Sequence, residues 1–314
     1  MPMIMEANVG IGIRGLEGTQ AVRASDYAIS QFEFLKRLIL VHGRLGYRRV
    51  AWVVCYYFYK NILLVFTEIY FAFYCGFSGQ IYFIDWLTLL YNSMWTSATC
   101  LFAFSLEKDV FNKSLKVPQL YQLGQRREYF SYGIFWKWVF LSMYHGFIIF
   151  HGCNFGMRGA IGEEGRTDGL WFSSTTAFSC IIHLVTLKLV IELIFLNWIV
   201  LLAGAVSLAL YWIMVIVFNT HAFSSVFQPE LDNVYFRMFS NLQFWLALIF
   251  LPLIALVPDA TIKYVQMIYF PSISDKFIKD RKILDSIKDD DSELLGMNKT
   301  NKSTKKGKFF YSYF

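Results

Sequence analysis

The fold of this chain is decided by residues 56–68, YYFYKNILLVFTE. They lie in an apolar run over residues 50–74, which is long enough for a helix to cross the hydrocarbon core of a bilayer. Lys60 and Asn61 lie near the middle of this run, too far from either end for the ammonium to reach a headgroup layer easily. Because inserting a charge at that depth costs about 3 kcal/mol, Lys60 is a candidate functional residue. The alternative is a structural role, with Lys60 paired to Glu68 or to a carbonyl inside a helical bundle.

The whole chain is too apolar for a soluble protein of its size. Of its 314 residues, 56% are hydrophobic and 19% are aromatic, and its mean hydropathy is +0.43. Apolar runs of spanning length recur along it. The predicted fold class is a mainly α, polytopic membrane protein. Its six predicted transmembrane helices cover residues 50–74, 81–105, 129–150, 170–190, 198–218 and 241–262.

The basic residues predict the orientation. They are concentrated before the first span, between the second and third, and after the last, as with Arg48, Arg49, Arg126, Arg127 and Lys263. By the positive-inside rule both termini are cytoplasmic. The net charge of +6 is then a consequence of topology, so a nucleic-acid partner is not expected.

No metal site or disulfide framework is indicated. The five cysteines have no CxxC spacing. The topology brings Cys75 and Cys153 near the outer face, which leaves a disulfide between them open. His145, His151 and His183 share no face with cysteine or acidic residues, so we interpret them as interior histidines rather than ligands.

Residues 1–30 read differently from the rest. Residues 8–13 and 26–29 are typical of short strands and residues 17–25 of a helix, as at the edge of an α/β domain. About 30 residues cannot bury a hydrophobic core of their own. The remainder of that domain is therefore supplied from elsewhere, or the chain is a fragment. Residues 10–15 match G-x-G-x-x-G, but these glycines lie in the strand rather than in a turn before a helix. We therefore expect no dinucleotide site.

Residues 31–49 predict an amphipathic stalk helix that runs into the first span. Such a helix transmits force along its axis, or else it is an ordinary basic juxtamembrane helix. Residues 265–314 are predicted to be a cytoplasmic tail, because lysine and aspartate alternate from Ile273 onward and a lysine-rich, serine- and threonine-rich segment follows from Asn298.

The second predicted span carries an unusual set of polar residues. Because it runs antiparallel to the first span, Asn92 should lie within about two helical turns of the depth of Lys60. Two interpretations fit a cluster of hydroxyls and an amide: hydrogen bonds between helices, or a hydrophilic path. The residues concerned are Asn92, Ser93, Thr96, Ser97 and Thr99.

Several strings resemble the C-terminal part of the phospholipid-transporting P-type ATPases, the type IV lipid flippases. Residues 3–29, MIMEANVGIGIRGLEGTQAVRASDYAI, resemble the end of that family's phosphorylation domain, and residues 32–50 resemble its stalk. YYFYKN at residues 56–61 and YNSMWTS at residues 91–97 are similar to its fifth and sixth membrane helices. LKVPQLYQLGQ at residues 115–125 and LPLIALVPDATIKYVQMIYFPS at residues 251–272 are similar to the following loop and the last helix.

The resemblance implies a domain order and a function. Residues 1–30 would be the remnant of the phosphorylation domain, residues 31–49 the stalk, residues 50–264 the membrane domain and residues 265–314 the tail. The complete enzyme would use ATP and Mg²⁺ to move aminophospholipids or other phospholipids from the outer or lumenal leaflet to the cytoplasmic leaflet. The headgroup path would be lined by Lys60, Asn61, Asn92, Ser93, Thr96 and Ser97, since a cation and amides can hold phosphate or carboxylate groups. Further implications are a two-span, glycosylated accessory subunit of the Cdc50 type and a location in the plasma membrane or in Golgi or endosomal membranes.

The chain also departs from that family. It contains no Asp-Lys-Thr-Gly-Thr, Thr-Gly-Glu or Gly-Asp-Gly-x-Asn-Asp sequence, so we expect no catalytic residue in it and no ATP hydrolysis by this chain alone. Thr99 and Phe104 stand where proline and glycine are common, which predicts a straighter, bulkier second span.

Two other classes of protein share parts of this pattern. A catalytically inactive, truncated six-span accessory protein or channel would share the membrane pattern, although its strand edges at residues 1–30 would be left unpaired. A cation-transporting P-type ATPase would need several carboxylates at mid-membrane, whereas the first span has only Glu68 and the second has no acid between Trp86 and Leu106.

Overall fold

A strand, a helix and a second strand precede the membrane helices. The computed structural model describes residues 2–15, 19–109, 115, 117–156, 169–194, 196–220 and 234–271. Helix α1 (Pro2–Glu6) leads into strand β1 (Ile11–Ile13), helix α2 (Gln20–Arg23) and strand β2 (Tyr27–Ile29). The two strands pair in parallel, with Gly12 opposite Ala28. The predicted order of strand, helix and strand is confirmed; that these elements are the edge of a phosphorylation domain stays a prediction.

The glycines near β1 serve close packing. The Gly10 N–H donates to the Asp26 carboxylate at 2.7 Å. A Cβ on Gly12 would lie 2.8 Å from the Ala21 carbonyl oxygen and 2.6 Å from the Ser25 hydroxyl, so only glycine lets α2 lie this close to β1. Gly12 lies inside the strand, as predicted, and not in a phosphate-binding turn.

One continuous helical path leads from this segment into the membrane domain. Helix α3 (Phe34–Arg37), a π-helical segment (Leu38–Gly43) and helix α4 (Arg44–Tyr74) follow one another without a non-helical residue. Together they form a path of 41 residues from Phe34 to Tyr74. The predicted continuity of stalk and first span is confirmed.

Five helical segments within the described residues are long and apolar enough to cross a membrane. They correspond to five of the six predicted spans, and the chain is an integral membrane protein. They are Phe34–Tyr74, α8 (Tyr132–Gly156), α9 (Leu170–Glu192), α10 (Trp198–Phe218) and α12 (Leu242–Tyr269); the shorter helices α7 (Gln119–Gln125) and α11 (Val234–Ser240) lie between spans.

The second predicted span is composite. Helix α5 (Asp85–Leu90) is followed by a π-helical segment (Tyr91–Trp95) and helix α6 (Ser97–Leu106). Thr96, between the last two, has φ −118° and ψ −17°, far from ideal α-helical values. The straighter helix expected from the absence of proline is therefore not observed, because the α-helical pattern is interrupted by side-chain packing and side-chain hydrogen bonds rather than by proline.

Helix α9 lies at the centre of the membrane bundle. Most of its side chains between Phe172 and Leu189 are buried. Helix α4 packs mainly against α8, α12 against α8 and α9, and α10 against α6. Cys75 and Cys153 are both free thiols, so the disulfide left open between them is absent. The predicted tail falls almost entirely outside the described residues, which end at residue 271.

Candidate functional site

Lys60 is fully buried between α4 and the composite span. Its side chain is 0% exposed. The ammonium donates a hydrogen bond of 2.6 Å to the Thr96 hydroxyl. It also lies 4.2 Å from the ring centroid of Tyr57 and 5.6 Å from that of Tyr91. The two aromatic rings and one hydroxyl give the cation an environment that is partly favourable and carries no negative charge.

Lys60 has no acidic partner among the residues that the structure describes. No carboxylate oxygen in those ranges lies within 4.0 Å of its ammonium, so the predicted alternative of a Lys60–Glu68 pair is wrong. Its hydrogen-bond acceptor is a side-chain hydroxyl and not a carbonyl. A buried cation without a counter-ion is energetically costly, and its position is suited to an anionic ligand.

Lys188 on α9 is a second buried lysine, and unlike Lys60 it has acidic partners. This side chain is as deeply buried as Lys60, with 1% exposure. Its ammonium contacts the carboxylates of both Glu192 and Asp259. Lys263 completes the cluster with a contact of 3.2 Å to Glu192. The predicted Lys188–Glu192 pair is confirmed, whereas the contribution of Asp259 was missed.

Two hydrogen bonds join α4 to the composite span at Lys60, and a third, within the composite span, links them. The Tyr91 hydroxyl donates to the Lys60 carbonyl at 3.1 Å. The Thr96 hydroxyl, which accepts from the Lys60 ammonium, donates to the Tyr91 carbonyl at 2.7 Å. Asn92, adjacent to Tyr91, therefore lies at about the depth that was predicted for it.

The other predicted path residues lie at or near the surface of the described bundle. Asn92 and Ser93 are exposed, and Asn61 and Ser97 are half-buried. Ser97 donates to the Ser93 carbonyl at 2.5 Å, within the composite span. The side-chain amides of Asn61 and Asn92 have no hydrogen-bond partner within the described ranges. Polar side chains of α4 and the composite span near the buried Lys60 are thus exposed or half-buried.

Two hydroxyls of the composite span make hydrogen bonds to other helices, and that this span lines a hydrophilic path stays a prediction. Thr99 donates a hydrogen bond of 3.0 Å to Ser207 on α10, so it joins two helices. Thr96 instead contacts Lys60. The side of the helix on which each hydroxyl lies determines its role.

The sequence reasoning missed two residues of this site. Tyr57 lies one helical turn before Lys60, so the i, i+3 spacing could have identified it. Tyr91 contacts Lys60 only through the tertiary fold, although its position next to Asn92 was a signal.

The predicted interior histidines have protein partners. His145 is buried, and its Nδ1 lies 2.6 Å from the Tyr59 hydroxyl. His183 Nδ1 lies 2.8 Å from the Ser179 carbonyl oxygen. His151 is enclosed by aromatic rings, among them Phe147, whose centroid is 4.2 Å away.

Comparison with known proteins gives a consistent result. The family model described as the C-terminal part of phospholipid-translocating P-type ATPases matches residues 22–272. The chain is 37% identical over 276 residues to phospholipid-transporting ATPase C887.12 of Schizosaccharomyces pombe, covering 86% of this chain and 22% of that protein. It is 33% identical over 276 residues to phospholipid-transporting ATPase 10 of Arabidopsis thaliana, with 86% and 22% covered. Phospholipid-transporting ATPase IG of Homo sapiens is 37% identical over 265 residues, with 82% and 23% covered.

The chain therefore spans about a fifth of the length of the curated relatives that it matches. The matched segment contains the helical path from Phe34 to Tyr74, the Lys60 site and all the described membrane helices. The chain belongs to the phospholipid-translocating P-type ATPases and corresponds to their C-terminal part.

Proposed function

We propose that this chain is the C-terminal membrane part of an ATP-driven phospholipid flippase, and that the headgroup passes Lys60 on its way to the cytoplasmic leaflet. The observation that carries the proposal is the burial of Lys60 without a carboxylate partner among the described residues, where Lys188 in the same bundle has two. A phosphate or carboxylate group of a lipid supplies the missing negative charge. Asn61, Asn92, Ser93 and Ser97 line the path beside it, and Thr96 accepts a hydrogen bond from the ammonium.

The chemistry of this path needs no reaction in the chain itself. An ammonium has three N–H donors, and Thr96 uses one of them, so two remain for the oxygens of an anionic headgroup. The exposed amides add neutral hydrogen-bond donors and acceptors. Acyl chains stay in the lipid, because the composite span that carries Asn92 also has exposed apolar side chains such as Leu89 and Leu101.

ATP and Mg²⁺ act elsewhere in the complete enzyme in this proposal. The residues around β1 and α2 do not fit a nucleotide. Ala21 and Ser25 already occupy the space beside Gly12, and the Gly10 N–H already donates to the Asp26 carboxylate, so neither glycine is open to a phosphate group. The stalk is the physical route by which the phosphorylation cycle reaches Lys60, because its helical path is continuous. The cytoplasmic placement of both termini, the accessory subunit and the compartment remain part of the proposal.

Lys60→Ala in the native gene product tests the site. We expect phosphorylation by ATP to persist and the stimulation of dephosphorylation by phospholipid to be lost, because the headgroup no longer meets a cation. The measurement is the phosphoenzyme level with and without micelles containing phosphatidylserine, phosphatidylethanolamine or phosphatidylcholine. Lys137→Ala is the matched control, since Lys137 is an exposed lysine on α8. An unchanged lipid response in Lys60→Ala contradicts the site assignment.

The size of the native product separates a pump from a truncated accessory protein. An antibody against residues 298–314 is applied to membranes of the source cells. A band several-fold larger than 36.7 kDa is expected for the pump. A band at 36.7 kDa contradicts the proposal and directs attention to binding partners.

A further inference from the structure

The position of the Lys60 ammonium depends on one hydroxyl group. A threonine hydroxyl has one donor and two acceptor lone pairs. Thr96 uses the donor on the Tyr91 carbonyl at 2.7 Å, so it can act only as an acceptor toward Lys60, at 2.6 Å. The direction of both hydrogen bonds is therefore fixed by the geometry.

Burial makes both hydrogen bonds of Thr96 consequential. Thr96 is 3% exposed and Lys60 0% exposed, so water does not compete for either group. Thr96 itself does not reach the surface that carries Asn92 and Ser93, which are exposed. Because its one O–H donor is used on the Tyr91 carbonyl, Thr96 has no donor left for an anionic ligand and acts on it through Lys60.

The same hydroxyl completes the π-helical segment. In a π-helix the carbonyl of Tyr91 would accept from the backbone N–H five residues later, which belongs to Thr96. Here the Thr96 hydroxyl makes that hydrogen bond instead, and the backbone of Thr96 departs from ideal helical values. The ammonium of Lys60 and the end of the π-helical segment are thus held by one side chain.

The π-helical segment includes a buried tryptophan, Trp95, whose indole N–H is unsatisfied among the described residues, and this carries an energetic cost. The Trp95 ring is buried against Phe178, at 5.7 Å, and Tyr211, at 5.3 Å between centroids. Its indole N–H nevertheless has no hydrogen-bond acceptor within the described part of the chain. A buried unsatisfied donor disfavours a conformation, and the packing of Trp95 together with the hydrogen bonds of Thr96 offsets this cost.

We propose that Thr96 is a positioning residue that fixes the position of the Lys60 ammonium and joins that position to the π-helical segment. This inference rests on the proposed function of Lys60 as the cation for a phospholipid headgroup. In this inference the affinity for the headgroup depends on Thr96, although the headgroup does not contact Thr96. The consequence is that binding at Lys60 and the geometry of the composite span depend on each other.

Thr96→Val, which keeps the shape and removes the hydroxyl, tests this in the native gene product. Hydrogen bonds to charged groups contribute about 1.5–3 kcal/mol, so we expect the half-saturating concentration of phospholipid in micelles to rise about tenfold or more. The maximal rate of dephosphorylation at saturating lipid should change less. Thr96→Ser, which restores the hydroxyl, should return the half-saturating concentration to within about twofold of the original.

Thr67→Val is the matched control. Thr67 is a fully buried threonine on α4 that donates only to the Leu63 carbonyl, at 2.8 Å, and does not contact Lys60. It should leave the half-saturating lipid concentration unchanged. If Thr96→Val does not accumulate, Thr96→Cys is compared with Thr96→Ser, because a thiol of similar size is a weak acceptor.

A double-mutant cycle distinguishes positioning from general structural support. In the Lys60→Ala background, Thr96→Val should have no further effect on the residual lipid response, because the group it positions is gone. An equal effect of Thr96→Val in both backgrounds, or equal behaviour of Thr96→Val and Thr96→Ser, overturns the inference while the proposed function stands. If Lys60→Ala itself leaves the lipid response unchanged, the proposed function fails first and this inference falls with it.

Discussion

Arg44 and Asp109 form a bidentate ion pair, in which each of two guanidinium nitrogens lies 2.7 Å from a different carboxylate oxygen. The side chains are 1% and 0% exposed. Arg44 is the first residue of α4, and Asp109 follows the composite span, 65 residues later. This pair fixes the first residue of α4 to the segment that follows the C-terminal end of the second span.

Neighbouring residues extend this connection to α9. Arg49 donates two hydrogen bonds, of 2.9 and 2.6 Å, to the Glu107 carbonyl. The Glu107 carboxylate accepts at 3.2 Å from the backbone N–H of Ile194, just after α9. A displacement of the stalk therefore acts on the second span and on α9 together.

Arg44→Gln should destabilise the protein strongly. It leaves the Asp109 carboxylate buried without its main partner, and removing one member of a buried pair costs about 3–5 kcal/mol. The measurement is thermal unfolding of the detergent-purified protein.

Arg48→Gln is the control for Arg44. Arg48 lies farther from both carboxylates, at 3.5 Å from Glu107 and 3.4 Å from Asp109, and its side chain is 17% exposed. Its loss should cost about 1 kcal/mol or less. Equal shifts in the midpoint of unfolding for the two variants contradict the assignment of Arg44 as the principal link.

Gly152→Ala should separate α8 from α12. A Cβ at Gly152 would lie 2.3 Å from the Leu251 Cδ2 and 3.3 Å from its Cγ, so the whole leucine side chain must move. Overpacking costs about 1–3 kcal/mol, which exceeds the gain of up to about 1 kcal/mol from replacing glycine in a helix. The unfolding midpoint should fall.

Gly133→Ala, on the same helix, has open space around it and should leave the midpoint unchanged or raise it. If both glycine variants raise the midpoint, the close approach of α8 and α12 is not limiting for stability.

Features that depend on residues close together in sequence were predicted, whereas features that depend on contacts between residues far apart in sequence were not. Five spans and the stalk follow from the local apolar pattern, and the Lys188–Glu192 pair follows from i, i+4 spacing. The π-helical segment was not predictable, because it depends on Trp95 packing against Phe178 and Tyr211, far along the chain. Asp259 was missed as a partner of Lys188 for the same reason, since 71 residues separate them.

The candidate site shows the same limit. Lys60 was identified because a single charge in an apolar run is conspicuous. Thr96 and Thr99 look alike in sequence, yet one binds Lys60 and the other binds Ser207, which is 108 residues away. Neither partner can be assigned without the fold.

Lys188→Met should destabilise the protein, whereas combining it with Asp259→Leu should restore much of the loss. The single change leaves Asp259 buried without its cation, but the double change removes both charges, and replacing a buried pair with apolar residues is often neutral. Glu192 keeps Lys263 at 3.2 Å in both variants. Thermal unfolding of the three proteins measures the effect. A double variant less stable than Lys188→Met would mean that the cluster stabilises the fold as a unit.

Lys60→Met should behave in the opposite way, because Lys60 has no carboxylate that its removal would leave unpaired within the described residues. Removing a buried cation without a counter-ion relieves a desolvation cost, so the unfolding midpoint should stay the same or rise. The lipid response of the native gene product should nevertheless be lost. Measured side by side, Lys60→Met and Lys188→Met then separate a charge kept for binding from a charge kept within a neutralised cluster. A loss of stability in Lys60→Met as large as that in Lys188→Met would contradict this distinction. It would mean that the charge of Lys60 stabilises the fold as much as the charge of Lys188 does.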